Sequence, residues 1–238
     1  MAGVVFVKTY TAAELPPVNE TEVWRYAFYA RSEPKPSELS VLLDGAVSEA
    51  LPLLTYRLCF RCFALDWFGG APRLPFRAQS GDLASCLDGS EELVMFAATL
   101  GLELDRLIER SQRLSPARAL LLQALGAERI EALCDLFCSE TEAEARSKGL
   151  EITPRFSPGY GDLSLEVQRD FFRLLDCGKI GLALNSSLLM SPSKSVTALF
   201  GLRPARETAA REREKCERCL KTDCGLRGDK EEAAAQSV

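Results

Sequence analysis

Residues 155–202 read RFSPGYGDLSLEVQRDFFRLLDCGKIGLALNSSLLMSPSKSVTALFGL, and the order of local patterns in this stretch decides the fold class. Ser157-Pro158-Gly159 is turn chemistry, a stiff proline followed by a conformationally free glycine. Ser164 predicts a helix cap, with Val167, Phe171, Leu174 and Leu175 on the apolar side that follows. Ile180 to Leu184 predicts a buried strand. Ser195 to Leu202 predicts another, with Val196, Ala198 and Phe200 alternating onto one face. A turn, a helix and two strands therefore follow one another without a βαβ repeat.

The flanking sequence extends this pattern. Glu151 to Phe156 is a short extended lead-in. Before it, Ser115-Pro116 opens the longest helical stretch, running to about Ser147; proline suits the first helical position because its missing donor costs nothing there. Gly126 softens this helix, Gly149 ends it, and Cys134 and Cys138 fall one turn apart on its core face. Gly101 starts a helix carrying Leu104, Leu107 and Ile108. Glu92 to Thr99 (ELVMFAAT) is a continuous apolar run of strand length. Thr55 to Trp67 reads as a strand, Gly69 to Pro72 as a turn, Leu74 to Arg77 as a partner strand, and Ser80-Gly81-Asp82 as a helix start. Val4 to Lys8 is a first strand, Asn19 caps a short helix through Trp24 and Tyr29, and Ser37 caps an amphipathic helix with Leu39, Leu42, Leu43, Val47 and Leu51 in its stripe. The expected fold class is α+β, a largely antiparallel twisted sheet flanked by helices. Residues 1–202 form the domain. Residues 203–238 are a charged, cysteine-containing tail expected to be partly disordered.

Composition narrows the function classes. The 238 residues are 47% hydrophobic and 26% charged with a net charge of −5, values of an ordinary soluble domain without the basic face that nucleic acid demands. No apolar run reaches membrane-spanning length, and a cytoplasmic location is expected. The chain has no histidine, which excludes Ser-His-Asp and Cys-His catalysis and leaves thiolates and carboxylates as metal ligands.

Arg155-Phe156-Ser157-Pro158-Gly159-Tyr160 resembles the Arg-x-x-x-Gly-Tyr motif of the activation domain of cobalamin-dependent methionine synthase. The resemblance continues through Leu163 to Gln168, Ile180-Gly181-Leu182, Asn185 to Met190 and Ser191 to Val196. Residues 92–140 match more loosely, through Phe96 to Gly101 and Glu131 to Asp135. It implies a stand-alone relative of that domain, binding S-adenosylmethionine through Arg155, Ser157, Gly159 and Tyr160. The chemistry agrees. An arginine grips a carboxylate through two parallel hydrogen bonds, glycine permits close backbone approach, and an aromatic face beside a cation contributes about 0.5–2 kcal/mol. A further aromatic ligand position aligns with Phe200, where the ring is kept and the hydroxyl lost. On local pattern alone, Arg155 to Tyr160 also fits a plain Pro-Gly turn carrying a surface arginine.

The same resemblance implies a role: S-adenosylmethionine-dependent reductive reactivation of cob(II)alamin on a separate methionine synthase, with an electron donor protein as a further partner. With no histidine to ligate cobalt from below, any corrinoid of that kind must arrive on another protein. Two alternatives stand beside this reading, a reactivator of another corrinoid methyltransferase and a non-catalytic binding protein. Cys216, Cys219 and Cys224 lie among charged residues at a spacing that suits zinc or an iron–sulfur cluster, with Cys59, Cys62, Asp223, solvent or a partner supplying the fourth ligand; free or redox-active thiols are the alternative. Cys59 and Cys62 fall in a predicted strand, where burial is the simpler fate. Ser191 and Lys194 have the Ser-x-x-Lys spacing without the companion motifs of a serine nucleophile; Lys194 is instead a candidate contact for an acidic surface.

Overall fold

The computed structural model describes residues 4–29 and 36–205. In chain order these form β1 (Phe6–Tyr10), α1 (Glu20–Tyr26), α2 (Ser37–Ala50), β2 (Tyr56–Ala64), β3 (Trp67–Phe68), β4 (Ala71–Pro72), α3 (Gly81–Cys86), β5 (Glu92–Thr99), α4 (Leu102–Leu114), α5 (Pro116–Ser147), β6 (Leu150–Ile152), α6 (Gln168–Leu175), β7 (Ala183–Leu184), β8 (Met190–Ser191) and β9 (Ser195–Pro204). Five strands make one sheet in the order β1-β2-β5-β9-β6, with every pairing antiparallel. The fold is α+β, as expected.

Strand alternation divides the interior into two cores. On one face Leu58, Val94, Phe96, Ala98, Ala198 and Phe200 meet α1, α2, α4 and α5; on the other Cys59, Leu93, Met95, Ala97 and Leu199 meet α3 and α6. Being covered on both faces explains why β5, the middle strand, is an unbroken apolar run and not an alternating one. The first core centres on Phe137 of α5, whose ring lies 5.1 Å from Phe96, 5.2 Å from Phe60 and 6.1 Å from Phe200.

The predicted caps account for most helix starts. The side chains of Asn19, Ser80 and Ser115 accept from Glu22 N, Leu83 N and Arg118 N. Ser164 caps a single 3-10 turn, Leu165–Val167, before α6 begins. Ser37 is itself helical, and Pro36 precedes it with no side-chain cap. Gly126 leaves α5 continuous; a Cβ there would meet Leu104 at 2.8 Å and Lys194 at 2.9 Å.

Further expectations are corrected. Ile180 to Leu184 is not one buried strand. Cys177–Ile180 is a 3-10 turn ended by Gly181 at φ 77, and only Ala183–Leu184 pair, with β8. Leu74 to Arg77 is not a partner strand; the turn at Gly69-Gly70 joins the short β3–β4 hairpin, while Leu74 and Phe76 anchor the following segment in the second core. Cys59 and Cys62 part company because an odd spacing on a strand sends side chains to opposite faces: Cys59 is buried beside Cys177, and Cys62 is exposed. Cys134 is buried and Cys138 half-buried. Cys216, Cys219 and Cys224 lie outside the described residues. Strand β9 runs to Pro204, two residues past the expected boundary, and Arg203 is buried in an ion pair with Glu151 at 2.7 Å.

Gly201 of β9 shows how tightly the second core closes. A Cβ there would sit 2.6 Å from Ser90 Cβ and 3.1 Å from Leu87. Ser90 cannot easily yield, since it is buried and its carbonyl accepts from the Trp67 indole at 2.8 Å. Gly201→Ala is expected to destabilise by about 1–3 kcal/mol through overpacking, read as a lower urea midpoint. Ser90→Gly in the same chain should recover most of the loss; a G201A midpoint equal to native would refute the packing argument.

Candidate functional site

Residues 154–163 cross the open edge of β9 between the two cores. Phe156 fastens this loop to the sheet, exchanging two backbone hydrogen bonds of 2.8 Å with Leu199. Beyond it the chain turns: Tyr160 N–H donates to Ser157 O at 3.0 Å and Gly159 N–H to Leu163 O at 2.9 Å. Gly159 sits at φ 90, open to glycine and strained for other residues. Asp162 ties the far end to α3, accepting from Ser80 Oγ and from Gly81 N–H at 2.7 Å. The Ser80 hydroxyl is the main cause that holds the Asp162 carboxyl below its usual range. The loop is thus pinned at both ends and hydrogen-bonded across its middle.

A cavity of about 160 Å³ lies under this loop. Arg155, Ser157 and Tyr160 line it from the loop, Glu131 from α5, Gln168 from α6 and Met190 from β8, with residues 195–198 of β9 as the floor. Leu199 turns its N–H and C=O toward Phe156, so strand alternation directs those of Thr197 to the same side, where the cavity lies.

Arg155 is not a surface residue. Its side chain is 8% exposed, and Nη2 donates to Glu131 Oε2 at 2.8 Å and Asp135 Oδ1 at 2.6 Å. Burial opposes its charge, Glu131 and Asp135 favour it, and the guanidinium stays protonated. Burial pushes the neighbouring Cys134 thiol up, which keeps it neutral. The Tyr160 ring stands edge-on to Phe156 with centroids 6.3 Å apart, and burial, then Glu131, raise its hydroxyl pKa. Lys194 runs its stem over Gly126; burial lowers its pKa against the pull of Asp105.

Glu131 also borders a second cavity, of about 630 Å³, between α5 and residues 14–19. That segment is held down by a buried ion pair. Arg129 pairs with Glu128 at 2.5 Å and donates to Pro16 O at 2.8 Å and Pro17 O at 3.1 Å, while Glu128 accepts from Asn19 N–H at 3.1 Å. Glu14, Glu22 and Asp135 complete an acidic rim.

Four of the five residues expected at the ligand therefore belong to one loop: Arg155, Ser157 and Tyr160 line the cavity, and Gly159 makes its turn. Phe200 does not join them. It is wholly buried, with its ring 6.1 Å from both Phe96 and Phe137. The cavity ends at Ala198, and Phe156 and β6 cover the strand edge beyond. Glu131, Asp135, Gln168 and the segment from Ser195 to Ala198 carry no site motif in the sequence. The legible signal for the first two is a pair of carboxylates one turn apart within a helix that is otherwise apolar there. Among the described residues, no three cysteine or acidic side chains are grouped to hold a metal ion, and no helix is long and apolar enough to cross a membrane.

The sheet order, the two-faced helical cover and the loop-bordered cavity define an α+β domain built on one antiparallel sheet. No protein-family model matches the chain, and no curated protein matches it. A solved structure shares the fold: the crystal structure of the MetH reactivation domain bound to AdoHcy has a TM-score of 0.58 to this chain. The two are 15% identical, over 86% of this chain and 80% of that one.

Proposed function

We propose that this chain binds S-adenosylmethionine in the Arg155 cavity and presents it to the cobalamin of a separate methionine synthase, supporting reductive methylation of cob(II)alamin. The observation that carries the reading is the site's charge. Arg155 and Glu131 line the cavity, and Asp135 pairs with Arg155 from the rim of the neighbouring one, so the cluster sums to −1, while S-adenosylmethionine, with a sulfonium, an ammonium and a carboxylate, sums to +1. Arg155 faces the carboxylate, Glu131 balances the cationic groups, and Tyr160, 53% exposed at the mouth, offers its face to the sulfonium. A partner's cobalamin would supply the cobalt, a separate electron donor protein the electron, and S-adenosylmethionine the methyl group, leaving S-adenosylhomocysteine. This chain's own residues hold and orient the methyl donor, a contribution of positioning and not of acid–base chemistry.

The test is calorimetric titration of the anaerobic protein at two salt concentrations. S-adenosylmethionine is expected to bind more tightly than the neutral S-adenosylhomocysteine at low salt. The preference should shrink between about 0.01 and 0.15 M salt as screening shortens the electrostatic range from about 30 to 8 Å. Absence of binding to either compound would defeat the proposal.

A further inference from the structure

Gln168, the first residue of α6, is 7% exposed and lines the cavity. Its side-chain Oε1 has no hydrogen-bond partner among the described residues. A buried amide oxygen left unpaired is a standing cost to the fold. Such an atom beside a cavity points to a donor that arrives from outside.

The surroundings decide which donor. Glu131 and Arg155 meet on the α5 side of the sheet, whereas Gln168 belongs to α6 on the other side. The charged pair and the amide therefore bound the cavity from opposite faces. The charged end matches an amino-acid zwitterion. The amide end is neutral, and Pro158 and Met190 add apolar wall, which suits a flat heterocycle with a hydrogen-bonding edge. A carboxamide sets an acceptor beside a donor, the pattern that pairs bidentately with the 6-amino group and N7 of adenine.

We propose that Gln168 reads the purine of the bound ligand, with Oε1 accepting from the 6-amino group and Nε2 donating to N7. This rests on the S-adenosylmethionine reading above and adds base selectivity to it. Hypoxanthine, which carries an oxygen at the 6-position, sets an acceptor against Oε1 and is disfavoured.

The experiment compares S-adenosylhomocysteine, S-inosylhomocysteine and 5′-methylthioadenosine on the native protein and on Gln168→Met, by calorimetry. The native protein should prefer S-adenosylhomocysteine over its inosine analogue by about tenfold or more. Q168M should lose about tenfold on both adenine compounds and bind the inosine analogue as the native protein does. Its ligand-free melting temperature should equal or exceed the native value, because the thioether removes an unpaired oxygen; a merely structural role would lower it. Equal native affinity for the adenine and inosine compounds overturns the proposal, and that comparison needs no variant. So does a Q168M loss on S-adenosylhomocysteine that is absent with 5′-methylthioadenosine, which would assign the amide to the amino-acid end. Failure of the native protein to bind S-adenosylmethionine or S-adenosylhomocysteine defeats the parent reading, whereas tight binding indifferent to the base defeats this inference alone.

Discussion

Arg155→Ala is expected to abolish measurable S-adenosylmethionine binding while leaving a folded protein. The guanidinium is the sole cation of its cluster with Glu131 and Asp135, both of which it already holds. Its loss removes the partner of the ligand carboxylate and turns two carboxylates against it. Truncating one member of a buried, hydrogen-bonded charge pair costs about 2–5 kcal/mol in binding, or about 30- to 4000-fold. The effect on folding is smaller. Asp135 is 69% exposed and Glu131 35% exposed, so water takes over much of what Arg155 supplied. Calorimetry with thermal unfolding separates the two. A variant that binds like the native protein would remove Arg155 from the site. Arg155→Lys should recover charge but not the two-pronged geometry, and so bind weakly.

Phe137→Ala is expected to cost about 3–5 kcal/mol of stability, as large aromatic truncations in closed cores do. The ring is 1% exposed and touches rings from three strands, Phe60 of β2, Phe96 of β5 and Phe200 of β9. No neighbour can collapse into the gap without abandoning the other two. Against a typical total of about 5–15 kcal/mol, this loss takes the domain toward its threshold. The melting temperature should fall by about 6–20 °C for a chain of this size. Phe137→Leu should lose markedly less. A fall of under 2 °C in the alanine variant would contradict the placement of Phe137 at the centre of the first core.

The parts of the fold legible in the sequence were those specified by local chemistry. Ser115-Pro116 marked the start of α5, and the run from Glu92 to Thr99 coincides with β5 residue for residue. The alternation of Val196, Ala198 and Phe200 correctly put the three on one face. What that alternation could not convey is where the cavity stops along the face, because α5 covers the strand from a distance of many residues. The stretch from Ile180 to Leu184 misleads for a similar reason. Ile180 and Leu182 are buried, as strand residues would be, but a strand needs a partner edge, and Gly181 in the left-handed region bends the chain away first. The loop from Arg155 to Tyr160 was legible because its turn residues and its arginine sit together in sequence. Glu131 and Gln168 were not, since the topology alone brings α5 and α6 to the same loop.

The placement of the cavity on the seam between the two cores has a consequence for motion. Each core, with its own helices, is a candidate for opening as a cooperative unit with its own free energy. A ligand gripped at one end by α5 and at the other by α6 binds neither half-opened form, so its whole binding free energy opposes the opening of either core. Under the proposed function, occupancy would set how far the two halves breathe independently, and a partner approaching the loop would meet a single rigid face only once the methyl donor was in place.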